Sequence, residues 1–404
     1  MRILVLNQYF YPDRSATSQL LTELCEDLAD SHEVFVVTGR PSYNPEATTQ
    51  SRGLISKERL GRVRVARVWS TSFDRRQMSG RLTNYASYLA SSVAGALAVR
   101  RPDVVVALTD PPPIGLIGAM VARLRGVPFV LVTKDVFPEV AIQIGALRNL
   151  LAKRSLRALS RRLFGSATAI VSIGRDMDRR LRELGVPEGK IRRIQDWSDG
   201  SLVKPTPDPS ALRAERGWMD RFVVMHSGNI GLSQDLDTLI GAAEFLRVEP
   251  DVLIAIVGDG ASKAALQRSA SERGLQNVEF LPYQPKASLA ESLGAADLHV
   301  IGLRRGLAGY IVPSKLYGIL AAGKPFVAAV EPGSEPALVA SEHDCGLVVD
   351  PGDPKALADA IIRARGEDLA AMGIRGREAF ESRFDRPLAT SAYRRMFEEV
   401  GGRT

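Results

Sequence analysis

A lysine stands where a helix is predicted to begin, which is an unfavourable place for a positive charge. The segment IVPSKLYGILAAGKP spans residues 311–325, and its Pro313 and Ser314 are typical of a helix start, with Lys315 in the first turn. The helix dipole presents partial positive charge there. A bound anion would offset this repulsion, because the ammonium, the serine hydroxyl and free amides could all contact it. The alternative is a lysine that extends into solvent.

Two glycine-containing turns follow predicted strands in the same half of the chain. SGNIG, residues 227–231, follows VVMH, and its Gly228 and Gly231 would let backbone amides approach a phosphate closely. It can equally be a plain strand-to-helix turn. GDG, residues 258–260, follows IAIVG, and for it the plain turn is the favoured interpretation.

Two loops of the first half also combine strand ends with unusual residues. TDPPPIG, residues 109–115, contains three prolines, so it would be rigid; it could shape a binding cleft or merely stop a helix. TKDVFPEV places Lys134, Asp135 and Glu139 at the end of an apolar strand. Charged residues there are costly unless they are solvated or functional, and we favour a functional role.

Carboxylates and histidines do not form a recognisable metal motif. Asp176 and Asp178, like Asp235 and Asp237, are separated by one residue, but each pair is predicted to lie in a first helical turn, where carboxylates suit the dipole. The four histidines share no close spacing. We therefore expect neither a metal nor another cofactor.

The segment RNLLAKRSLRALSRRLF, residues 148–164, interleaves leucines with lysine and arginine at helical spacing. Such a basic amphipathic helix can lie on an anionic membrane surface. The alternative is a helix whose leucines face the protein core and whose basic face is solvated. The sequence favours neither interpretation over the other.

These segments are positioned by strand-like runs that alternate with helical ones, a pattern typical of βα units and a mainly parallel sheet. A helix is predicted from Ser15 to Asp30 because its leucines recur at helical spacing. In parallel sheets ligands bind beyond the carboxyl ends of the strands, where the loops described above lie. The predicted strands are 3–7, 33–38, 63–68, 103–108, 128–133, 169–173, 222–226, 252–258, 278–283, 298–303, 325–330 and 346–350.

The strand pattern stops and restarts around DWSDGSLVKPTPDPS, residues 196–210, which is rich in Pro, Ser and Asp. The sequence therefore predicts an α/β protein with two Rossmann-like parallel-sheet domains that face each other across a cleft. We place the first domain at 1–195, the linker at 196–210 and the second domain at 211–385. The last helix, 386–404, could pack back on the first domain.

Composition excludes several classes of protein. The chain has 404 residues, of which 45% are hydrophobic and 25% charged, and it contains no apolar run of about 20 residues that could span a bilayer. Its start, MRILVLNQYFYPD, resembles a first strand and not a cleaved leader. Cys25 and Cys345 lie too far apart in sequence to suggest a disulfide framework or zinc motif. We expect a cytosolic protein.

The net charge of +7 is unevenly distributed. Residues 1–200 contain 30 Lys and Arg against 19 Asp and Glu, whereas the remainder contains 23 against 27. The basic half should therefore face an anionic partner such as a membrane surface, a phosphorylated lipid or a nucleic acid.

Taken together, these motifs resemble the retaining family 4 glycosyltransferases of GT-B fold, particularly the bacterial exopolysaccharide and O-antigen branch related to colanic acid and fucosaminyl transferases. The resemblance covers nearly the whole chain, and the order and spacing of the motifs make it specific. It depends on NQYFYPD with the helix after it, HEVFVVTGRPSYNP (32–45), TDPPP, KDVFPE, QDWSD (195–199), SGNIG, GDG, PSKLYGILAAGKP and VVDPGD (348–353).

The resemblance implies transfer of a sugar from a nucleotide donor, usually a UDP-sugar, bound by the second domain to an acceptor bound by the first. Retention in this family is thought to follow a front-face route in which the leaving diphosphate helps to deprotonate the acceptor, without a metal or an obligatory protein nucleophile. The expected acceptor is a glycan linked to a lipid diphosphate. The expected location is the cytoplasmic face of the inner membrane, with 148–164 on the anionic surface.

The same resemblance assigns roles to single residues. Lys315 and Asp135 are the catalytic candidates, the first for stabilising the departing diphosphate and the second for contacting the reacting sugar or the acceptor. Tyr283 and Gln284 fall where the family binds the base of the nucleotide donor. Further donor-side candidates are Gly228, Asn229, Ser314 and Glu335, and the acceptor-side candidates are Ser15, Thr17, Pro112, Lys134 and Glu139.

The chain departs from the family pattern at three places. Many members have two glutamates eight positions apart, but these positions are Tyr310 and Gly318 here, so Glu335 is the candidate substitute. The arginine and lysine usual after the first strand of the second domain are Asn229 and Gln234. Lys134 stands where a histidine would be.

Other classes of function explain the sequence less well. A GT-B nucleotide-sugar epimerase would need carboxylates and histidines in the cleft, and the missing glutamates also permit a non-catalytic nucleotide-sugar-binding partner. A nicotinamide dehydrogenase is disfavoured because no G-x-G-x-x-G follows the first strand. Nucleic-acid binding is not expected because no nucleic-acid-reading module is visible.

Overall fold

The computed structural model describes residues 1–13, 15–41, 53–73, 78–206 and 210–402. The chain divides into two compact units. The first unit comprises Met1–Gln195 together with Ala389–Thr404, and the second comprises Asp196–Leu388. Each unit is built on one sheet, so the predicted pair of Rossmann-like parallel-sheet domains is confirmed.

The sheet of the first unit has the strand order β3-β4-β2-β1-β5-β6-β7-β8 over the described residues. Its strands pair in parallel except for β3, which runs antiparallel to β4 at the edge. The central β5, VVVAL, is buried along its whole length, as expected of a strand covered on both faces. The elements are β1 (Arg2–Leu6), α1 (Ala16–Leu28), β2 (Glu33–Thr38), β3 (Ile55–Leu60), β4 (Val63–Val68), α2 (Met78–Leu97), β5 (Val104–Leu108), α3 (Ile114–Arg125), β6 (Phe129–Val132), α4 (Glu139–Gln143), α5 (Leu150–Ser166), β7 (Ala169–Ser172), α6 (Arg175–Glu183) and β8 (Ile191–Arg193).

The sheet of the second unit is parallel throughout its described strands, in the order β11-β10-β9-β12-β13-β14. One main core packs helices α8, α9 and α13 on β9, β10 and β12 through buried leucine, isoleucine, valine and alanine. The elements are α7 (Ser210–Arg216), β9 (Phe222–Ser227), α8 (Leu236–Phe245), β10 (Val252–Val257), α9 (Lys263–Glu272), β11 (Val278–Leu281), α10 (Leu289–Gly294), β12 (Leu298–Gly302), α11 (Lys315–Ala321), β13 (Phe326–Ala329), α12 (Glu335–His343), β14 (Gly346–Val349), α13 (Pro354–Arg365), α14 (Leu369–Arg383) and α15 (Arg386–Val400).

All predicted strands are present, with ends that differ by at most two residues. Two strands were not predicted. The edge strand β3, ISKERL, has a charged or polar residue at most positions, and it forms a two-residue hairpin with β4 around Gly61, whose φ is +55°. Strand β8 has only three residues, two of them arginine. Neither carries the apolar run on which the prediction depended.

Residues 196–206 and the start of α15 contact each other within the second unit. Ser198 forms a β-bridge with Asp385, and the Asp385 carboxylate accepts a hydrogen bond from the Gly200 amide at 2.9 Å. Arg386 binds the Asp199 carboxylate at 3.0 Å. The remainder of α15 belongs to the first unit, where Arg394 donates to the Asp27 carbonyl.

The helices within the described residues include none that is both long enough and apolar enough to cross a membrane.

A buried arginine connects three segments of the first sheet. Arg67, at the carboxyl end of β4, forms an ion pair with Glu58 of β3 through Nε at 2.7 Å. Its guanidinium also donates to the carbonyls of Tyr11, after β1, and of Gly39, after β2. Because Arg67 is almost fully buried, its removal would leave these acceptors and the Glu58 carboxylate without their donor.

We predict that Arg67→Leu lowers the free energy of unfolding by about 3 kcal/mol, the cost of breaking a buried ion pair. Arg64→Leu is the matched control, because Arg64 lies on the same strand but is exposed. Arg64 pairs with Glu33 at 3.5 Å and contacts the ring of Phe35. Both contacts are at the surface, so Arg64→Leu should lower the free energy of unfolding by about 1 kcal/mol or less. Chemical denaturation of both variants provides the measurement, and equal losses would contradict the assignment.

Candidate functional site

The strand order of the second sheet reverses between the neighbouring strands β9 and β12. The loops after these two strands therefore lie side by side at the carboxyl edge of the sheet. Such a reversal of strand order is the usual place for a ligand in an open parallel sheet. The loops are in contact, because the Arg304 amide donates to the Ser233 carbonyl at 2.8 Å. SGNIG follows β9, and Ser314 and Lys315 follow β12, so two predicted features meet here.

The SGNIG and GDG turns pack backbone against backbone. The Gly228 amide donates to the Val257 carbonyl at 2.9 Å, and a Cβ on Gly258 would lie 1.9 Å from the Gly228 carbonyl oxygen. Gly258 also has φ of +141°, which L side chains rarely adopt. The shape of GDG therefore supports the SGNIG loop, which is compatible with the plain turn favoured from the sequence.

Lys315 lies beside this pair of loops. It begins helix α11, as predicted, and its Cε is 3.4 Å from the position that a Cβ on Gly228 would occupy. Its Nζ is 3.4 Å from Nε2 of His226 on β9. Burial lowers the pKa of Lys315 to about 7. The alternative of a freely solvated lysine is thus wrong.

Two features of the anion site predicted from the sequence differ in the structure. Ser314 precedes the helix, but its backbone is already helical and its hydroxyl caps no amide. Helix α11 has only seven residues, so its dipole is a weak source of attraction. An anion here would be bound through the lysine side chain and the adjacent loop.

The amides of SGNIG are mostly occupied by the protein itself. Ile230 donates to the Asp259 carbonyl at 2.9 Å, and Gly231 donates to the Gln234 side chain at 3.0 Å. With the Gly228 amide bound to Val257, Asn229 supplies the one amide of the turn that has no acceptor among the described residues. Asn229 therefore replaces Gly228 and Gly231 as the candidate amide donor to an anion.

Tyr283 and Gln284 follow β11 next to the GDG turn. The Tyr283 side chain is exposed, and its hydroxyl is 3.4 Å from the Asp259 carbonyl, which places the ring at the rim of the glycine loops. The Gln284 amide instead contacts the Pro282 carbonyl. The structure thus brings Tyr283 to the site and leaves Gln284 on its own turn.

Glu335 is the first residue of α12 and is fully buried. It follows β13, the neighbour of β12. Nearby Glu331 accepts hydrogen bonds from the Gly306 and Ala308 amides and so fixes the loop after β12. At Gly318 a Cβ would contact only Leu293 at 3.5 Å, so nothing in the structure explains the glycine.

The strand order of the first sheet reverses between β1 and β5. The loops near this point bring together another set of candidate residues. The Gln8 amide donates to the Asp110 carbonyl at 3.0 Å, so the loop after β1 contacts the TDPPP loop that contains Pro112. The Thr109 hydroxyl accepts from the amides of Lys134 and Asp135 at 3.0 and 3.1 Å. Lys134 is buried there and Asp135 is exposed.

The remaining acceptor-side candidates have structural contacts. Ser15 caps α1 by accepting from the Ser18 amide at 3.2 Å, and Thr17 is half-buried in the first turn. Glu139 is buried, and both its carboxylate oxygens bind Arg157 of α5 at 2.7 Å. Glu139 therefore connects α4 to α5.

No cluster of three or more histidine, cysteine or acidic residues suited to a metal occurs within the described part of the chain. His226, near the end of β9, contacts Lys315 and was not among the residues predicted from the sequence. The available signal was a histidine directly before SGNIG, at the end of an otherwise apolar strand.

Two protein families match the two units. Residues 16–197 match the family described as "Glycosyl transferase 4-like domain", and residues 194–377 match "Glycosyl transferases group 1". The chain is 31% identical over 276 residues to "Probable glycosyltransferase WbjE" of Pseudomonas aeruginosa, covering 68% of this chain and 69% of that protein. It is 29% identical to the Escherichia coli K12 protein described as "Putative colanic acid biosynthesis glycosyl transferase WcaI", covering 90% and 92% of the two chains.

Solved structures share the fold. HepE of Anabaena, crystallised with UDP and glucose, superposes with a TM-score of 0.74 at 19% identity, covering 99% of this chain and 100% of that one. Sucrose-phosphate synthase of Thermosynechococcus elongatus superposes with a TM-score of 0.79 at 16% identity, and each chain is fully covered.

We predict that Gly258→Ala weakens binding of UDP, used as a probe, by about tenfold or more, because the new Cβ displaces the Gly228 carbonyl. Gly274→Ala is the control, since Gly274 also has positive φ but no atom lies within 4 Å of the place that its Cβ would occupy. It should cost only about 1 kcal/mol of stability. Calorimetric titration of both variants measures the difference, and wild-type affinity in Gly258→Ala would contradict the role of the turn.

Proposed function

Since the chain belongs to the family 4 glycosyltransferases, we propose that it transfers a sugar from a nucleotide donor, a UDP-hexose or UDP-N-acetylhexosamine, to a glycan acceptor with retention. The pathway would be cell-surface polysaccharide biosynthesis, which the name of the relative WcaI supports. The UDP complexes of HepE support a UDP donor.

The observation that carries the proposal is the position of Lys315 beside Gly228 where the second sheet reverses. When the bond between sugar and diphosphate breaks, negative charge develops on the departing phosphate oxygens. Lys315 and the Asn229 amide are placed to stabilise that charge, and fixed donors of this kind contribute strongly to catalysis. The proposed chemistry is metal-independent, with the leaving diphosphate accepting the acceptor proton.

On the acceptor side, the proposal assigns the exposed Asp135 to contact the acceptor or the reacting sugar. Its amide and that of Lys134 are fixed by Thr109, so the loop after β6 is held next to the proline loop after β5. Both loops follow strands close to the reversal of the first sheet. Rigid presentation of this kind favours a productive orientation of the acceptor.

Helix α5 supports attachment to an anionic membrane. Its inner face is fixed by buried Phe164 and by Arg157 bound to Glu139. Leu150 and Leu151 are 72% and 73% exposed, and Leu159 is 38% exposed, so three leucines lie at the surface. Leu163 is buried and Leu156 half-buried, so the alternative of core-facing leucines holds for one side of the helix only. Exposed leucines beside exposed arginines suit the boundary between headgroups and acyl chains.

We therefore propose a lipid-diphosphate-linked acceptor at the cytoplasmic face of the inner membrane. A soluble enzyme that acts on such an acceptor must reach the membrane surface. The excess of basic residues in the first half of the chain would strengthen that approach electrostatically.

We predict that Lys315→Met weakens UDP binding by between about tenfold and a hundredfold, the value of a charge-assisted hydrogen bond, and abolishes transfer. Binding of uridine, which lacks phosphate, should change little. Lys324→Met is the matched control, because Lys324 is also half-buried but precedes β13 at the opposite edge of the sheet. Titration with UDP and uridine measures both effects, and an unchanged UDP affinity in Lys315→Met would refute the proposed phosphate site.

We also predict that replacing Arg154, Arg161 and Arg162 together by glutamate abolishes binding to vesicles of phosphatidylcholine and phosphatidylglycerol. Each basic residue near such a surface contributes about 1 kcal/mol. The control replaces three exposed arginines outside α5 by glutamate, namely Arg59, Arg62 and Arg100, and should retain binding.

Vesicle sedimentation measures this binding, and added salt should weaken that of the wild type. Retention of binding by the α5 variant would contradict the membrane proposal without affecting the donor site.

A further inference from the structure

His226 lies underneath the proposed phosphate site. It is fully buried near the carboxyl end of β9, immediately before the SGNIG turn. Its Nε2 is 3.4 Å from the Lys315 ammonium and also 3.4 Å from the Asn229 carbonyl. The histidine therefore contacts both candidate donors to the diphosphate, through the side chain of one and the backbone of the other.

The charge state of His226 follows from its surroundings. Burial, followed by the nearby Lys315, holds the pKa of His226 well below its ordinary value, so the ring is neutral at pH 7. A neutral imidazole has one nitrogen with a proton and one without. A proton on Nε2 would point a donor at an ammonium, whereas a bare Nε2 accepts a hydrogen bond from it. The Asn229 carbonyl, at the same 3.4 Å, would instead accept from a protonated Nε2. A hydrogen bond from the charged ammonium is the stronger of the two, so the contacts together favour the tautomer protonated at Nδ1.

We propose that His226 is a positioning residue: its bare Nε2 accepts a hydrogen bond from the Lys315 ammonium and holds that side chain beside Gly228, ready for the donor diphosphate. This inference depends on the phosphate site of the proposed function and adds a residue that orients it. His226 itself touches neither the sugar nor the phosphate.

The geometry explains why Lys315 needs such an acceptor. A lysine side chain has four rotatable bonds, and fixing it before the ligand arrives removes part of the ordering cost from the binding step. The hydrogen bond also favours the charged form of a lysine whose burial brings its pKa to about 7. The titratable groups that act on His226 are Lys315 on α11 and His299 on β12, and the Asn229 and Val300 backbones also act on it.

The test compares His226→Leu with His226→Gln by calorimetric titration with UDP between pH 6 and pH 9. In the wild type, affinity should fall as pH rises through about 7, because Lys315 loses its proton. Leucine removes the acceptor, so the midpoint of this decline should move down by about one pH unit. Affinity at pH 7 should then fall about fivefold, because the charged fraction of Lys315 falls from about one half to about one tenth. Glutamine can place an oxygen where Nε2 lies and should restore the wild-type midpoint.

A purely structural histidine would not move the midpoint. His299→Leu is the matched control, since His299 is equally buried on the adjacent strand and bonds the Leu293 carbonyl. It should lower the melting temperature and leave the midpoint in place. A wild-type midpoint in a folded His226→Leu protein, or a glutamine variant that behaves like leucine, would overturn the proposal.

A measurement on the unmutated protein covers the case in which the leucine variant does not fold. Nitrogen-15 NMR of histidine-labelled protein distinguishes the tautomers, and His226 should carry its proton on Nδ1, whereas a proton on Nε2 would refute the proposed hydrogen bond.

The experiments also distinguish failure of the proposed phosphate site from failure of the proposed role of His226. If Lys315→Met leaves UDP affinity unchanged, the phosphate site itself is wrong; if only the His226 results disagree, the site stands and the positioning role falls.

Discussion

The Gly228 carbonyl and the Cα of Gly258 approach so closely that no side chain fits at position 258. This contact between the ends of β9 and β10 limits the shape of SGNIG, and SGNIG in turn borders the proposed phosphate site at Lys315. The loop uses most of its amides to hold itself in place, through Val257, Asp259 and the Gln234 side chain. In the proposed site, few groups consequently remain to bind an anion.

Because so few groups remain, the charge state of Lys315 controls how the proposed site binds an anion. A half-buried lysine with a pKa of about 7 is only partly charged at neutral pH, so binding a diphosphate and binding a proton are linked. A neutral histidine behind the ammonium accepts its hydrogen bond without adding charge. A carboxylate in the same place would add a negative charge beside the proposed anion site. The family resemblance leads us to expect an arginine and a lysine after β9, which would add positive charge to the proposed site; the present chain has Asn229 and Gln234 there.

Much of the fold could be predicted because its strands are runs of valine, isoleucine and leucine, which a buried parallel sheet requires. The positions of SGNIG, GDG and Lys315 followed from the rule that loops after parallel strands share one edge. Strands β3 and β8 were not predicted. Strand β3 lies at the edge of the sheet, where charged residues are tolerated, and β8 is too short, at three residues, to show periodicity. Which amides remain free, and that His226 reaches Lys315, depend on tertiary contacts that no local pattern encodes.

A crystal structure of the protein with UDP bound would test the proposed diphosphate site most directly. We predict that diphosphate oxygens lie about 3 Å from the Lys315 Nζ and from the Asn229 amide, above Gly228. A diphosphate bound elsewhere, with Lys315 still against His226 and out of reach of the ligand, would contradict the proposed site.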